Sequence, residues 1–259
     1  MSSKPVMPLK SRVVTRLRRM PTKEFSSVPE LASAIHSTFS PPGATWQEVL
    51  AFTTKSAQYG FPVVAVQGCW GEDVKQVLKG RDVCVSVFVG YTLGGSPVES
   101  KVVEVRRGVE AGAGMFEYLP NLGYLRSGLF TRFREELAAV VKAADGRPVS
   151  AALELPTLSI DERIRGALLA EQAGVACVTN SSGWGTGGAA TEEGVRFLRS
   201  TLSSKVKVKA SGGIRDLETA TRLMGAGADL LGTWTGFQII DELRAKTSAD
   251  RGRAARVRR

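Results

Sequence analysis

One lysine and two glutamates are the residues best suited to chemistry, because each lies within, ends or directly follows a predicted strand. Glu117 lies within Met-Phe-Glu-Tyr-Leu at 115–119, Glu154 follows Val-Ser-Ala-Ala-Leu at 149–153, and Lys209 ends Val-Lys-Val-Lys at 206–209. A lysine beside a carboxylate can pass a proton to or from a carbonyl substrate, and a neutral lysine amine is also a nucleophile. We therefore take Lys209, Glu117 and Glu154 as catalytic candidates. The alternative is that Lys209 forms a structural ion pair with one of the two glutamates.

A second lysine lies on the same predicted strand. Lys207 precedes Lys209 by two residues, so both side chains point to one side of the strand, about 6.5–7 Å apart. A neighbouring ammonium favours the neutral form of an amine, and partial burial acts in the same direction. Alternatively, Lys207 reaches solvent at the start of the strand.

Two glycine-rich turns are candidate anion sites. Ser-Ser-Gly-Trp-Gly-Thr-Gly-Gly at 181–188 and Ser-Gly-Gly-Ile-Arg at 211–215 each lie between a predicted strand and a predicted helix. Such turns present backbone N–H groups and a positive helix terminus to an anion, although tight turns also need glycine for steric reasons. The substrate-binding candidates at the strand ends and in these turns are Gln67, Tyr91, Asn121, Thr179, Asn180, Ser181, Gly183, Trp184, Ser211, Gly212, Gly213, Thr233 and Trp234.

The chain contains a single histidine, His36. A zinc site built on two or three histidines is therefore excluded, and so is a His-x-x-x-His metalloprotease helix. Any Ser-His or Cys-His machinery would have to use His36. We expect no metal and no cofactor. The three widely spaced cysteines, Cys69, Cys84 and Cys177, are expected to be free thiols and small core residues.

The elements that must position these residues alternate between short β-branched runs and amphipathic stretches of 12–16 residues from residue 45 onward. This pattern predicts seven strand–helix units, the last helix covering 236–246, and a short run at 35–39 can supply an eighth strand. Continuous strand–helix repetition indicates a parallel sheet, because parallel neighbours need a helical crossover. We predict a single-domain (β/α)8 (TIM) barrel, with its chemistry at the carboxyl ends of the strands. An open doubly wound sheet is less suitable, since no G-x-G-x-x-G follows the first strand.

Seven segments of the chain together form a family pattern, and the most specific of them contains Lys-Ala-Ser-Gly-Gly-Ile-Arg at 209–215. The segments, in order, are 35–45, 90–94, 121–128, 146–149, 180–189, 208–215 and 231–233. Together they resemble the deoxyribose-phosphate aldolase family, and the likeness covers about residues 30–243. The resemblance implies a (β/α)8 class I aldolase, which forms a Schiff base between a lysine and an aldehyde.

The sequence differs from the family pattern at the positions of the family's catalytic residues. The family places its Schiff-base lysine where this chain has Thr179, and a threonine cannot form an imine. Glu117 matches the family's aspartate, and Lys209 matches the second lysine, which lowers the pKa of the first. His36 stands at the first position of the family's Asp-His-Thr. Trp234 replaces a serine of the phosphate-contacting turn, which disfavours a phosphorylated sugar.

Five aromatic residues are predicted at the rebuilt barrel mouth, where they would accept a larger, flatter and less charged ligand. They are Trp70, Tyr91, Tyr118, Trp184 and Trp234. The alternative for each is ordinary packing beneath a loop.

These observations predict an aldolase-like enzyme that acts on a carbonyl-bearing substrate by acid–base chemistry. The reaction would be a non-standard aldol or retro-aldol step, a cyclisation or an elimination, repurposed for a specialised biosynthetic pathway. A second hypothesis is a Schiff-base aldolase whose nucleophile has moved to Lys209. A third is a non-catalytic ligand-binding homologue.

The net charge of +10 is concentrated at the two ends of the 259-residue chain. Residues 1–23 carry seven basic side chains and no acidic one, and residues 244–259 carry seven basic side chains and one acidic one. Neither end contains an aromatic residue, so nucleic acid is not an expected partner. We predict a basic N-terminal extension (1–24), the barrel (25–246) and a solvated basic C-terminal tail (247–259).

The sequence contains neither a long apolar run nor a secretory signal, so a cytoplasmic protein without a membrane partner is expected. The expected partners are a small carbonyl compound, which can be anionic, and a second copy of the chain in a homodimer.

Overall fold

The computed structural model describes residues 24–184 and 188–257, with side chains through residue 250. Eight parallel strands form a closed barrel in which each strand pairs with the next and the last pairs with the first. The predicted (β/α)8 barrel is therefore confirmed, including the eighth strand at the beginning of the chain. The strands are β1 (Ile35–Thr38), β2 (Val63–Val66), β3 (Cys84–Val89), β4 (Met115–Tyr118), β5 (Val149–Ala152), β6 (Cys177–Thr179), β7 (Lys207–Ser211) and β8 (Leu230–Thr233).

Ten α-helices within the described ranges surround the barrel. They are α1 (Val28–Ser33), α2 (Trp46–Gln58), α3 (Gly71–Val77), α4 (Val98–Glu110), α5 (Leu122–Arg126), α6 (Phe130–Ala143), α7 (Ile160–Gln172), α8 (Glu192–Thr201), α9 (Leu217–Gly225) and α10 (Gly236–Val257). Short 3₁₀ turns follow β2 at Gly68–Trp70 and β5 at Leu155–Thr157. None of the described helices has the length and apolar composition needed to span a membrane.

The helix starts follow from local sequence. Thr45 and Glu48 form a reciprocal capping box at the start of α2, and Ser159 and Glu162 form another at the start of α7. Each capping side chain satisfies backbone N–H groups that have no partner within the helix, a contribution of about 1 kcal/mol. The apolar faces of the helices then pack on the outer faces of the strands.

The last helix corrects one prediction. We predicted its end at residue 246, but α10 continues to Val257, into the segment predicted as a solvated tail. Residues 247–257 contain no proline and several alanine and arginine residues, which favour continuation of a helix once it has begun. The predicted N-terminal extension falls almost wholly on residues 1–23, outside the described residues.

A buried ion pair outside the barrel fixes the loops after β3 and β4. The Nζ of Lys101, on α4, donates to the carbonyl oxygen of Gly94 at 2.5 Å and to Oε1 of Glu136, on α6, at 2.7 Å. The same Glu136 oxygen accepts the Asn121 N–H at 2.9 Å and the hydroxyl of Tyr118. The prediction that Tyr118 lies at the barrel mouth is therefore wrong. Neighbouring strand residues alternate sides, so Tyr118 points outward when Glu117 points inward.

Candidate active site

Lys209 and Glu117 meet inside the barrel from opposite parts of the strand circle. Lys209 Nζ lies 2.5 Å from Oε1 of Glu117, and the two side chains are only 2% and 4% exposed. Burial alone would raise the pKa of the Glu117 carboxyl, but Lys209 and, after it, His36 lower it to about 2. The Glu117 carboxyl is thus ionised at neutral pH, in direct contact with the amine of Lys209.

Gly232 on β8 provides the space for the lysine. A Cβ atom at this position would lie 2.7 Å from Lys209 Cε and 3.0 Å from the Ser211 hydroxyl oxygen. Because such a contact is too short, any larger residue would displace the lysine stem. Lys207, two residues earlier, is exposed at the start of β7, so the solvent alternative holds for it.

His36 is the functional candidate that sequence reasoning left out of the site. Its Nδ1 lies 4.0 Å from Glu117 Oε1, and the side chain is 6% exposed. Burial and, after it, the charge of Lys209 lower the pKa of His36 despite the opposing effect of Glu117. The imidazole is therefore neutral at pH 7. The available signal was its place on the first strand as the only histidine of the chain.

Thr179 is buried on β6, in register with Lys209 on β7. Its hydroxyl lies 2.8 Å from the hydroxyl of Ser150 on β5. Two hydroxyls thus pair at the position where the family resemblance implies a lysine, and no amine is present there.

Cys177 is not a candidate nucleophile. Burial raises the pKa of the Cys177 thiol to about 12, against the lowering effect of Lys209. Such a thiol is protonated at neutral pH and therefore unreactive. Cys84 is half-buried and Cys69 is exposed, so the expected core location fits Cys177 best and is wrong for Cys69. Within the described residues, no group of three or more His, Cys, Asp or Glu side chains could hold a metal ion.

Glu154 holds the loop that follows β6. Its carboxylate accepts the N–H of Ser182 and, at 3.3 Å, the hydroxyl of Ser181. Glu154 itself has φ 44° and ψ 50°, a left-handed conformation that is unfavourable for a residue with a side chain. These hydrogen bonds give Glu154 a positioning role in addition to any role in catalysis.

Asn180 connects β6 to β7. Its side-chain oxygen accepts the N–H of Ser211 at 2.8 Å, and its amide donates to the carbonyl oxygen of the same residue at 3.2 Å. The Asn121 side chain instead caps α5 by accepting the Gly123 N–H at 3.0 Å. Both asparagines are thus used within the protein framework.

Three cavities surround Trp184 at the carboxyl ends of the strands. The β7–β8 cavity, of about 300 Å³, is lined by Ser211–Arg215, Thr233 and Trp234 among others. The β2–β3 cavity, of about 450 Å³, includes Gln67 and Tyr91. The β4–β5 cavity, of about 620 Å³, includes Glu154 and Arg126. Trp184 lines all three, and its indole N–H donates to the Ser40 hydroxyl at 2.8 Å.

The β7–β8 cavity has the character of an anion site. Gly212 and Gly213 line the cavity and both have positive φ angles, 96° and 70°, a conformation that glycine adopts without a steric penalty. Of the residues that the structure describes, Arg215 is the only charged one lining this cavity. Among the described residues, no carboxylate forms an ion pair with it.

The remaining predicted residues divide between cavity wall and framework. Nine line a cavity: Gln67, Tyr91, Gly183, Trp184, Ser211, Gly212, Gly213, Thr233 and Trp234. Four do not line any of the three cavities: Asn121, Thr179, Asn180 and Ser181.

Two of the predicted aromatic residues have distinct surroundings. Burial and, after it, the charges of Glu117 and Glu154 raise the pKa of the Tyr91 hydroxyl well above its usual range. Trp70 stacks on Trp46, with ring centroids 5.8 Å apart.

Comparison with known proteins places this geometry in a family. A deoxyribose-phosphate aldolase from Methanothermobacter thermautotrophicus is 38% identical over 212 residues, which cover 82% of this chain and 94% of the relative. One from Coprothermobacter proteolyticus is 37% identical over 201 residues, covering 78% of this chain and 91% of the relative. The chain belongs to the deoxyribose-phosphate aldolase family. No model of a known protein family matches the sequence.

Solved structures agree with the family membership. The tetrameric deoxyribose-phosphate aldolase from Aeropyrum pernix superimposes with a TM-score of 0.79 at 27% identity, covering 92% of this chain and 98% of that one. The resemblance deduced from the sequence motifs is thereby confirmed. The chain is an aldolase-type barrel, and the relatives it matches are named deoxyribose-phosphate aldolase, a class of lyase.

Proposed function

We propose that this aldolase-family barrel makes or breaks a carbon–carbon bond beside a carbonyl group by acid–base catalysis, without an imine at position 179. The contact of 2.5 Å between Lys209 Nζ and Glu117 Oε1 inside the barrel carries this proposal. It supplies an acid and a base at one point. The hydroxyl of Thr179, paired with Ser150, has no nitrogen with which to form the family's imine.

In the cleavage direction, the substrate is a β-hydroxycarbonyl compound. Glu117 removes the proton of the β-hydroxyl, the carbon–carbon bond breaks, and its electron pair becomes an enolate. Lys209 stabilises the enolate oxygen by its charge and hydrogen bond, as preorganised donors do at developing oxyanions. Glu117 then returns its proton to the α-carbon, which releases two carbonyl products and restores the starting protonation states.

The β7–β8 cavity supports a substrate with an anionic group. Its consecutive glycine N–H groups and the Arg215 side chain can receive a phosphate or carboxylate. The indole of Trp234 also lines the β7–β8 cavity, is 56% exposed, and reduces the space available to an anionic group there. We therefore propose a carbonyl substrate other than deoxyribose 5-phosphate, in a specialised biosynthetic pathway.

Family membership favours a second candidate, in which Lys209 itself forms the imine. Lys209 is a buried lysine of the barrel interior, and Glu117 in contact with it could assist the proton transfers that imine formation requires. Deoxyribose 5-phosphate would then be cleaved to acetaldehyde and glyceraldehyde 3-phosphate.

Two measurements on the full-length protein separate these candidates. The first follows deuterium incorporation at the α-carbon of acetaldehyde and acetone in D₂O by NMR. The second treats the protein with the same compounds and sodium borohydride, then locates reduced adducts by mass spectrometry of peptides. Exchange without an adduct on Lys209 supports the acid–base proposal, whereas a reduced adduct on Lys209 overturns it in favour of the imine. The absence of both exchange and a Lys209 adduct overturns both candidates and indicates a ligand-binding homologue.

A further inference from the structure

His36 and Lys209 converge on the same oxygen atom of Glu117. Lys209 Nζ lies 2.5 Å from Oε1, and His36 Nδ1 lies 4.0 Å from that oxygen. The three residues come from β7, β1 and β4, so they meet only because the barrel is closed. Glu117 Oε1 is therefore hydrogen-bonded to Lys209 and has His36 Nδ1 as a second nitrogen just beyond hydrogen-bonding distance.

His36 Nδ1 is buried and has no hydrogen-bond partner in the described part of the chain. A buried polar nitrogen without a partner is unfavourable, and such atoms are uncommon in folded proteins. The groups whose charge acts on His36 are Glu117 on β4 and Lys209 and Lys207 on β7. Glu117 is the only acceptor among these three.

The proposed reaction requires Lys209 to leave Glu117. When the lysine turns to the substrate oxygen, Glu117 would remain as a buried carboxylate without a hydrogen bond, which is strongly unfavourable. A movement of about 1 Å would bring His36 Nδ1 from 4.0 Å to hydrogen-bonding distance of Glu117 Oε1.

We propose that His36 is a positioning residue for this reaction: its neutral imidazole donates the Nδ1 hydrogen to Glu117 when Lys209 turns to the substrate. This inference rests on the proposed acid–base function. Its role is to keep Glu117 oriented as the base throughout the reaction. It requires the tautomer with hydrogen on Nδ1 and involves no proton transfer to the histidine.

The single histidine makes the tautomer directly measurable. Imidazole ¹⁵N resonances of the labelled full-length protein can only arise from His36, so they need no assignment. We expect a neutral ring protonated on Nδ1 at pH 7. In Lys209→Met, which leaves the Nδ1 hydrogen as the donor for Glu117, this hydrogen should shift downfield and the pKa of His36 should rise. A ring protonated on Nε2 in both proteins would overturn the proposal.

Two substitutions test the same role in catalysis. His36→Asn retains an N–H donor near the Nδ1 position, whereas His36→Leu retains comparable volume without a donor. We expect His36→Leu to lower kcat for α-proton exchange about 10- to 100-fold with little change in KM, the usual range for losing one hydrogen bond to a charged group. His36→Asn should recover most of this loss.

The pH profile separates a positioning role from a merely structural one. Without its second donor, Glu117 should take up a proton at higher pH during turnover, so the acidic limb of the kcat profile should move upward in His36→Leu and return in His36→Asn. Equal rates and profiles in both variants would overturn the proposal. If wild-type exchange is absent, the acid–base function itself fails, while the NMR experiment still reports whether His36 engages Glu117.

Discussion

The low pKa of Glu117 predicts a specific dependence of stability on pH. A carboxyl whose pKa falls from 4.5 to about 2 on folding stabilises the folded protein by about 3 kcal/mol at neutral pH, at about 1.4 kcal/mol per pH unit. Because the folded-state pKa is the lower one, this contribution is complete above pH 4.5 and is lost as the pH falls toward 2. Glu117→Gln removes it and also leaves Lys209 without its buried counterion.

We expect Glu117→Gln to lower the free energy of unfolding by about 3–5 kcal/mol at pH 7, as is usual when one partner of a buried pair is removed. Urea unfolding followed by circular dichroism at several values between pH 7 and pH 2.5 provides the measurement. The difference between wild type and variant should shrink below pH 4.5. Glu110→Gln is the matched control, since Glu110 pairs with Arg107 at the surface, with side chains 63% and 79% exposed. Its loss should be within about 1 kcal/mol. A pH-independent difference for Glu117→Gln would refute the reasoning.

Three further predictions concern other parts of the molecule. Lys101→Met, which leaves the buried Glu136 carboxylate without its lysine, should lower the free energy of unfolding by about 3–5 kcal/mol in urea titrations; an unchanged midpoint would show that the pair is dispensable. Gly232→Ala places a Cβ 2.7 Å from Lys209 Cε, so turnover should fall at least about 10-fold. Gly95→Ala is the control and should leave turnover nearly unchanged, because no atom lies within 4 Å of a Cβ at Gly95 and its φ is not positive. Deletion of residues 1–23, a run of like charge, should leave the melting temperature nearly unchanged, and a large decrease would show that the extension packs on the barrel.

The barrel could be predicted from the sequence because local signals and the global pattern agree. Alternating β-branched runs and amphipathic segments define the strand–helix units, and capping residues such as Ser159 mark helix starts. The end of α10 could not be predicted, since residues 247–257 contain no proline to stop a helix and too few apolar residues to give a periodic signal. Tyr118 was predicted at the barrel mouth because it is an aromatic residue next to the candidate Glu117. The alternation of side chains along a strand instead turns Tyr118 to the outer face of the barrel.

The site was only partly predictable because its contacts join distant strands. Lys209 and Glu117 were identified as candidates from strand ends and family resemblance, but the sequence left open which glutamate the lysine meets. The choice of Glu117 depends on how β4 and β7 face each other across the closed barrel. His36 was missed as a partner of Glu117 for the same reason. The catalytic roles of Lys209, Glu117 and Glu154 remain predictions.

The most direct test of acid–base catalysis without the family's imine compares α-proton exchange of acetaldehyde in wild type and Lys209→Met, with borohydride trapping of both. Methionine keeps much of the stem volume but removes the amine. We expect wild-type exchange without a trapped adduct and a fall of about 10²–10⁴-fold in the variant, the usual contribution of a positioned acid or base. Wild-type exchange rates in Lys209→Met, or a borohydride adduct on Lys209, would contradict this mechanism.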